Sequence, residues 1–162
     1  MCCSKFFFEN LGGFDSFDLP TIPTCVFAPI DHVLAGQKTI RLEELDGQRF
    51  VTTLREHSPR FYDGMVERCH SKGVNFEIAA VGNTLDATLM FVAAGIGITL
   101  LPLCLKVCCS EELVPIEVSG EEDFDYQGEI LWKKENQNPA LKYFKKAANA
   151  FDFLQQKETL FQ

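Results

Sequence analysis

Apolar and polar positions alternate along the chain in a way that divides it into short strands and amphipathic helices in turn. Residues 24–28 (TCVFA) are an unbroken apolar run closed by Pro29, the pattern of a strand buried on both faces. Residues 41–46 suit one helical turn stopped by Gly47, and residues 49–53 (RFVTT) the next strand. Residues 59–71 follow the helical period: Tyr62, Val66 and Cys69 share one face, Phe61 and Met65 lie beside it, and Gly73 stands where a C-cap belongs. Residues 75–80 read as a third strand. Residues 84–94 are apolar on nearly every side, through Leu85, Leu89, Met90, Phe91 and Val92, which predicts a buried helix. Gly95 ends that helix, residues 97–101 form a fourth strand, and Pro102 opens a short helix.

The tail continues with a strand over residues 112–118, an acidic loop over residues 119–126, and a strand over residues 127–134 centred on Ile130, Leu131 and Trp132. Asn138 followed by Pro139 is a strong helix start, a capping residue with proline at the first helical position. From there Leu141, Phe144, Ala148, Phe151 and Leu154 recur at helical spacing, so the last helix needs an apolar surface to lie on. Strands alternating with helices at this pitch predict the α/β class, a parallel or mixed sheet with helices on both faces.

Charge and cysteine usage narrow the function. The chain of 162 residues, enough for one α/β domain or one lobe of something larger, carries a formal charge of −8. It has no Lys or Arg run able to track a phosphate backbone, so direct nucleic-acid contact is not expected. No apolar run approaches the roughly 20 residues of a membrane helix, and the start, MCCSKFFFENLGG, lacks a signal-type apolar stretch. A soluble cytoplasmic protein without membrane contact is the expectation. The seven cysteines include the vicinal pairs Cys2-Cys3 and Cys108-Cys109 but no C-x-x-C, which argues against a metal site. Reduced thiols fit, with Cys25 and Cys69 as small apolar core residues.

The densest chemistry lies in REHSPRFYDG, residues 55–64. It sits after the strand at residues 49–53, with Ser58 as N-cap and Pro59 as first helical residue, so backbone N–H groups and the positive end of a helix dipole face the sheet's carboxyl end. Asn83 and Thr84 repeat that arrangement after the third strand. Two such N-termini on one crevice would make an anion pocket without any catalytic group. His57 beside Ser58 is no dyad, because sequence neighbours on a turn seldom place imidazole on hydroxyl and no G-x-S-x-G is present. Arg55 and Arg60 read as solvated charges. Gly95 and Gly97 lack the third glycine of a nucleotide loop, and the acidic loop lacks the ligand spacing of an EF-hand. No catalytic residue, metal or cofactor is assigned.

Three stretches resemble one family. FAPIDHVLAG (27–36) followed by IRLEELDGQRFV (40–51), VAAGIGITLLP (92–102) and LWKKENQNPALKYF (131–144) look like the corresponding stretches of LysR-type transcriptional regulators, in order and with sensible spacing over about residues 20–150. The resemblance implies a non-enzymatic sensor with a fold like type 2 periplasmic binding proteins, in which two α/β lobes hold a small-molecule coinducer. In the family a winged helix-turn-helix binds DNA and a linker helix dimerises; these and most of the first lobe have no counterpart here, so the chain looks truncated at its N-terminal side. Residues 1–20 match nothing placed, residues 21–118 look like the second lobe, and residues 119–162 look like the strand and helix that return to the first.

By the same resemblance the effector is lined by Ser58, Pro59, Phe61, Asn83 and Thr84, with His57 beside them. The first-lobe residues that complete the family's site, commonly hydroxyl side chains, are not in this sequence. Ser58 also serves as a plain helix cap in the blander reading. A solute-binding module of transport type and a non-functional truncated product are the alternatives. The returning strand and helix would leave Trp132, Phe144, Phe151 and Leu154 partly uncovered. A homo-oligomer, a fold-back of the tail or poor solubility is therefore expected.

Overall fold

In a computed structural model the described residues are 2–4, 12–19, 21–120, 125–126 and 128–150. In chain order their elements are β1 (Cys2–Ser4), β2 (Phe14–Asp18), β3 (Thr24–Pro29), β4 (Thr39–Arg41), β5 (Arg49–Thr53), α1 (Pro59–Ser71), β6 (Glu77–Gly82), α2 (Leu85–Ala93), β7 (Thr99–Pro102), β8 (Leu113–Ser119), β9 (Gly128–Lys133) and α3 (Ala140–Ala150), with 3-10 turns at Leu42–Leu45, Arg55–His57 and Leu103–Cys108. The chain divides into two compact units, residues 22–126 and residues 1–21 with 127–162.

The larger unit is built on a mixed sheet. Four strands run in the order β4-β8-β3-β7, and β5 and β6 form a parallel pair. A parallel bridge joins them: Val51 N–H donates to the Ile98 carbonyl at 2.7 Å and Ile98 N–H to the Arg49 carbonyl at 2.8 Å, just ahead of β7. β3 alone among these strands runs against both neighbours, β7 and β8. All six of its residues are buried, because each face meets a different core. Val26 and Ala28 join Phe50, Met65, Cys69 and Ile98 on one side, whereas Cys25 and Phe27 join Val51, Leu89, Val92 and Leu101 on the other. The unbroken apolar run is therefore two alternating sets of side chains serving two cores. It follows that α1 covers one face of the sheet and α2 the opposite face.

The helix expected at residues 59–71 is α1 with those bounds, and Gly73 follows with φ 73. The strand expected at residues 75–80 starts later, at Glu77. Asn75 is held outside the ladder, its N–H donating to Asp46 Oδ1 at 2.7 Å while its carbonyl accepts from Gly47 N–H at 2.7 Å. Gly97 sits so close to β5 that an added Cβ would lie 2.8 Å from the Arg49 carbonyl carbon, which explains a glycine there without any nucleotide. The expectation of a buried helix at residues 84–94 holds only for one face of α2: Thr88, Leu89 and Val92 are buried, but Met90 on the outer face is 70% exposed.

In the smaller unit β9 lies between β1 and β2, antiparallel to both, so the N-terminal segment left unassigned from sequence contributes two strands. The start of α3 is capped as expected, Asn138 Oδ1 accepting Ala140 N–H at 2.9 Å. The Lys145 ammonium stands 4.3 Å from the centre of the half-buried Trp132 ring, while Tyr143 and Phe144 are exposed. Phe151, Leu154 and residues 121–124 of the acidic loop lie outside the described residues.

Cys25 and Cys69 are buried, as small apolar residues should be. Burial, reinforced by the Glu117 and Asp125 carboxylates, pushes the Cys25 thiol up to about 12; burial and then Cys108 push Cys109 up to about 11. In native-state alkylation followed by mass spectrometry, Cys108, which is exposed, is expected to react well before Cys25 and Cys69. Protection lost at Cys25 in the native state contradicts this packing. The Cys25 proton is held more tightly in the folded chain than at the ordinary value of 9.0. Its contribution to stability is thus complete below pH 9 and fades as pH rises toward 12.

Candidate functional site

Parallel pairing of β5 with β6 brings two loops to one place. Thr53 pairs with Gly82 at the carboxyl ends of the two strands, and Leu54 N–H donates to the Gly82 carbonyl at 3.2 Å. Residues 54–58 then lead into α1 and residues 83–84 into α2. Because α1 runs outward to β6 while α2 returns across β5 toward β7, the helices cover opposite faces and both open at the same sheet end. Neighbouring connections that depart in opposite directions leave a crevice there, the usual ligand position in open α/β sheets.

Ser58 occupies the N-cap position of α1, with Pro59 as the first helical residue, but its hydroxyl makes no cap bond. With φ −153 and ψ 71 the residue contributes only its carbonyl, which accepts Tyr62 N–H at 3.0 Å. The half-buried hydroxyl takes no part in capping. Thr84, by contrast, is a working cap. Its Oγ1 accepts Ala87 N–H at 3.1 Å, and its carbonyl accepts both the N–H and the hydroxyl of Thr88 at 3.0 Å. Since that Oγ1 uses only a lone pair, the hydroxyl proton can still be donated. Asn83, exposed between β6 and α2, adds a side-chain amide. His57 ends the 3-10 turn Arg55–His57, its N–H bound to the Leu54 carbonyl at 3.0 Å and its ring exposed.

Arg55, which lies nearby, is already engaged. Arg55 grips Asp63 with two parallel bonds, Nε to Oδ1 at 2.7 Å and Nη2 to Oδ2 at 2.6 Å. The hydrogen bonds from Arg55 hold the Asp63 carboxyl below its usual range, and Asp63 raises the guanidinium in turn. Instead of a free surface charge, Arg55 is a brace from the 3-10 turn to the first turns of α1.

Phe61, half-buried in the first turn of α1, faces the sheet. It lines a cavity of about 10 Å³ with Thr52, Thr53, Tyr62, Met65 and Thr99. Thr52 Oγ1 is buried there without a hydrogen-bond partner among the described residues. The buried Thr52 hydroxyl escapes a reading from sequence, because threonine inside a strand reads as an ordinary β-branched strand former. Among the described residues no group of three His, Cys, Asp or Glu side chains converges as a metal site, and no helix is long and apolar enough to cross a membrane.

The family model of the LysR substrate binding domain matches residues 8–152. This chain belongs to the LysR substrate binding domain family. The LysR-type chain is 26% identical over 121 residues to the HTH-type transcriptional regulator AlsR of Bacillus subtilis (strain 168), covering 74% of this chain and 40% of AlsR. Its fold matches that of CbnR, a LysR family transcriptional regulator, with a TM-score of 0.77 at 18% identity over 92% of this chain and 50% of CbnR. It also matches the BenM effector binding domain solved with its effector benzoate, with a TM-score of 0.69 at 18% identity, covering 82% of this chain and 60% of that one. The LysR-type chain thus spans less than half of AlsR and half of CbnR. The family is one of regulators and not of enzymes, and its fold is the mixed α/β fold of type 2 periplasmic binding proteins.

Proposed function

We propose that this chain is the sensing part of a LysR-type transcriptional regulator, and that its effector is a small carboxylate received where β5 and β6 end. The observation that carries this reading is the Thr53–Gly82 pairing, which sets the N-termini of α1 and α2 at one edge. An anion placed there meets two helix dipoles at their positive ends. Ser58 and Thr84 donate hydroxyl protons and Asn83 an amide proton, while His57 stands at the rim. Pro59 and Phe61 supply apolar wall against the ligand body. Benzoate, the effector of the similar BenM domain, has that shape: a carboxylate on a flat apolar ring. No residue in this set is an activated nucleophile, so the ligand is held and not transformed. Binding changes the balance of conformations in a regulator that acts as an oligomer, and the altered geometry is read by DNA-binding parts outside this chain.

The test is calorimetric titration of the chain and of Ser58→Ala with benzoate and related small carboxylates. A hydrogen bond to a charged group is worth about 1.5–3 kcal/mol, so the variant is expected to lose roughly tenfold or more in affinity. Its thermal stability should scarcely move, because the Ser58 hydroxyl makes no cap bond; the loss should stay below the ~1 kcal/mol of an ordinary cap deletion. Equal affinity in both proteins would remove Ser58 from the site. Failure of every small carboxylate to bind would remove the anion reading.

A further inference from the structure

β5 and β7 begin as partners and then part. The parallel bridge between them rests on two bonds, from Val51 N–H to the Ile98 carbonyl and from Ile98 N–H to the Arg49 carbonyl. A parallel ladder spaces its bonds evenly, so the next would join Leu100 N–H to the Val51 carbonyl and Thr53 N–H to the Leu100 carbonyl. The ladder stops short of that: Phe50–Ile98 is an isolated bridge, and β5 and β7 belong to different sheets beyond it. The other edge of each strand is already taken, that of β5 by β6 and that of β7 by β3. The backbone of Thr53 and Leu100 therefore faces a wedge between two diverging strand ends, and backbone groups in such a place need partners from elsewhere.

A side chain points to the same partner. The wedge is the cavity of about 10 Å³ that Thr52, Thr53 and Leu100 line from the sheet and Phe61, Tyr62 and Met65 cover from α1. Thr52 is only 5% exposed, and its Oγ1 has no hydrogen-bond partner among the described residues, whereas the large majority of buried polar side-chain atoms are bonded. A volume on the order of 10 Å³ admits one water molecule and no carbon skeleton. We propose that the wedge holds a single internal water, bonded to Thr52 Oγ1 and to the backbone of Thr53 and Leu100 where the direct pairing of β5 with β7 gives out. Buried waters typically make about three hydrogen bonds, the number these three positions supply. The water replaces the next rung of the ladder and ties β5 to β7 beneath the first turns of α1. The site does not depend on the carboxylate reading of the crevice.

Thr52→Val provides the test, since it removes the hydroxyl at nearly constant volume. Oxygen-17 magnetic relaxation dispersion counts the water molecules that a protein holds for longer than it tumbles, and a threonine hydroxyl, whose oxygen does not exchange, adds nothing to the signal. The whole chain is expected to show a dispersion larger by one water than that of Thr52→Val. In urea unfolding the variant is expected to raise the unfolding equilibrium constant by about two- to tenfold, the loss of an ordinary net hydrogen bond. The sign is diagnostic: if Thr52 Oγ1 is buried dry, valine removes an unpaired polar group and the variant becomes the more stable protein. A crystal structure of the parent chain needs no variant, and is expected to show an ordered water within hydrogen-bond distance of Thr52 Oγ1. Equal dispersion in parent and variant, a variant more stable than the parent, or a well-ordered Thr52 without that water would each overturn the proposal.

Discussion

Gly82→Ala is expected to destabilise the chain by about 3 kcal/mol or more, the upper end of overpacking effects. Gly82 is the last residue of β6 and is buried. A Cβ added there would lie 2.6 Å from the Thr88 backbone nitrogen and 2.9 Å from its Cα, and would overlap the Thr88 hydroxyl as well. No rotamer change relieves a clash with backbone. Thr88 itself is fully buried and tied twice to the Thr84 carbonyl, so the first turn of α2 must move off the sheet as a unit. The same displacement would pull Thr84 and Asn83 from the crevice. Urea unfolding of the variant should therefore show a large fall in midpoint, accompanied by weaker carboxylate binding wherever the fold survives. A variant within about 0.5 kcal/mol of the parent, the scale of neutral surface changes, would contradict the close approach of β6 to α2.

Phe50→Ala is expected to cost about 3–5 kcal/mol, a large share of the ~5–15 kcal/mol that holds a typical domain folded. Phe50 is fully buried in β5, its ring centre 4.6 Å from that of Phe76, in the core with Val26, Met65 and Ile98. Its loss opens a void on the α1 side of the sheet while leaving Val51 to hold the α2 side. Phe50→Leu keeps most of the volume and should cost far less, roughly 1.5 kcal/mol. Equilibrium unfolding of the pair checks this. If the alanine variant lost no more than the leucine variant, the Phe50 pocket would have to be loosely packed.

These two residues also show which parts of the molecule could be read from the sequence. The bounds of β5 and α1 are legible because local signals agree: an apolar run, a proline at the helix start, a helical stripe and a closing glycine. β6 was displaced by two residues since a distant side chain, Asp46, captures Asn75. β1 and β2 were invisible for a related reason, as their partner β9 lies more than a hundred positions away. At the candidate site the helix starts were legible, but their adjacency was not, because it depends on the pairing of Thr53 with Gly82. The cap rule identified Ser58 and Thr84 alike, yet only Thr84 caps with its side chain. Backbone torsion at Ser58 decides that difference, and no sequence rule sets it. The apolar periodicity of α2 could not show which face its surroundings would leave open.

The position of β3 has a consequence for how the chain is made. Its partners on either side, β7 and β8, arrive only with Thr99–Pro102 and Leu113–Ser119. At ribosomal speeds of about 5–20 residues per second, the fully buried strand β3 waits roughly 4 to 15 s with both edges unpaired, until Pro102 has been made. A nascent chain in that interval is a substrate for chaperones and for its own neighbours on the same message. Shielding β3 before residue 119 emerges is therefore expected to raise the yield in a cell.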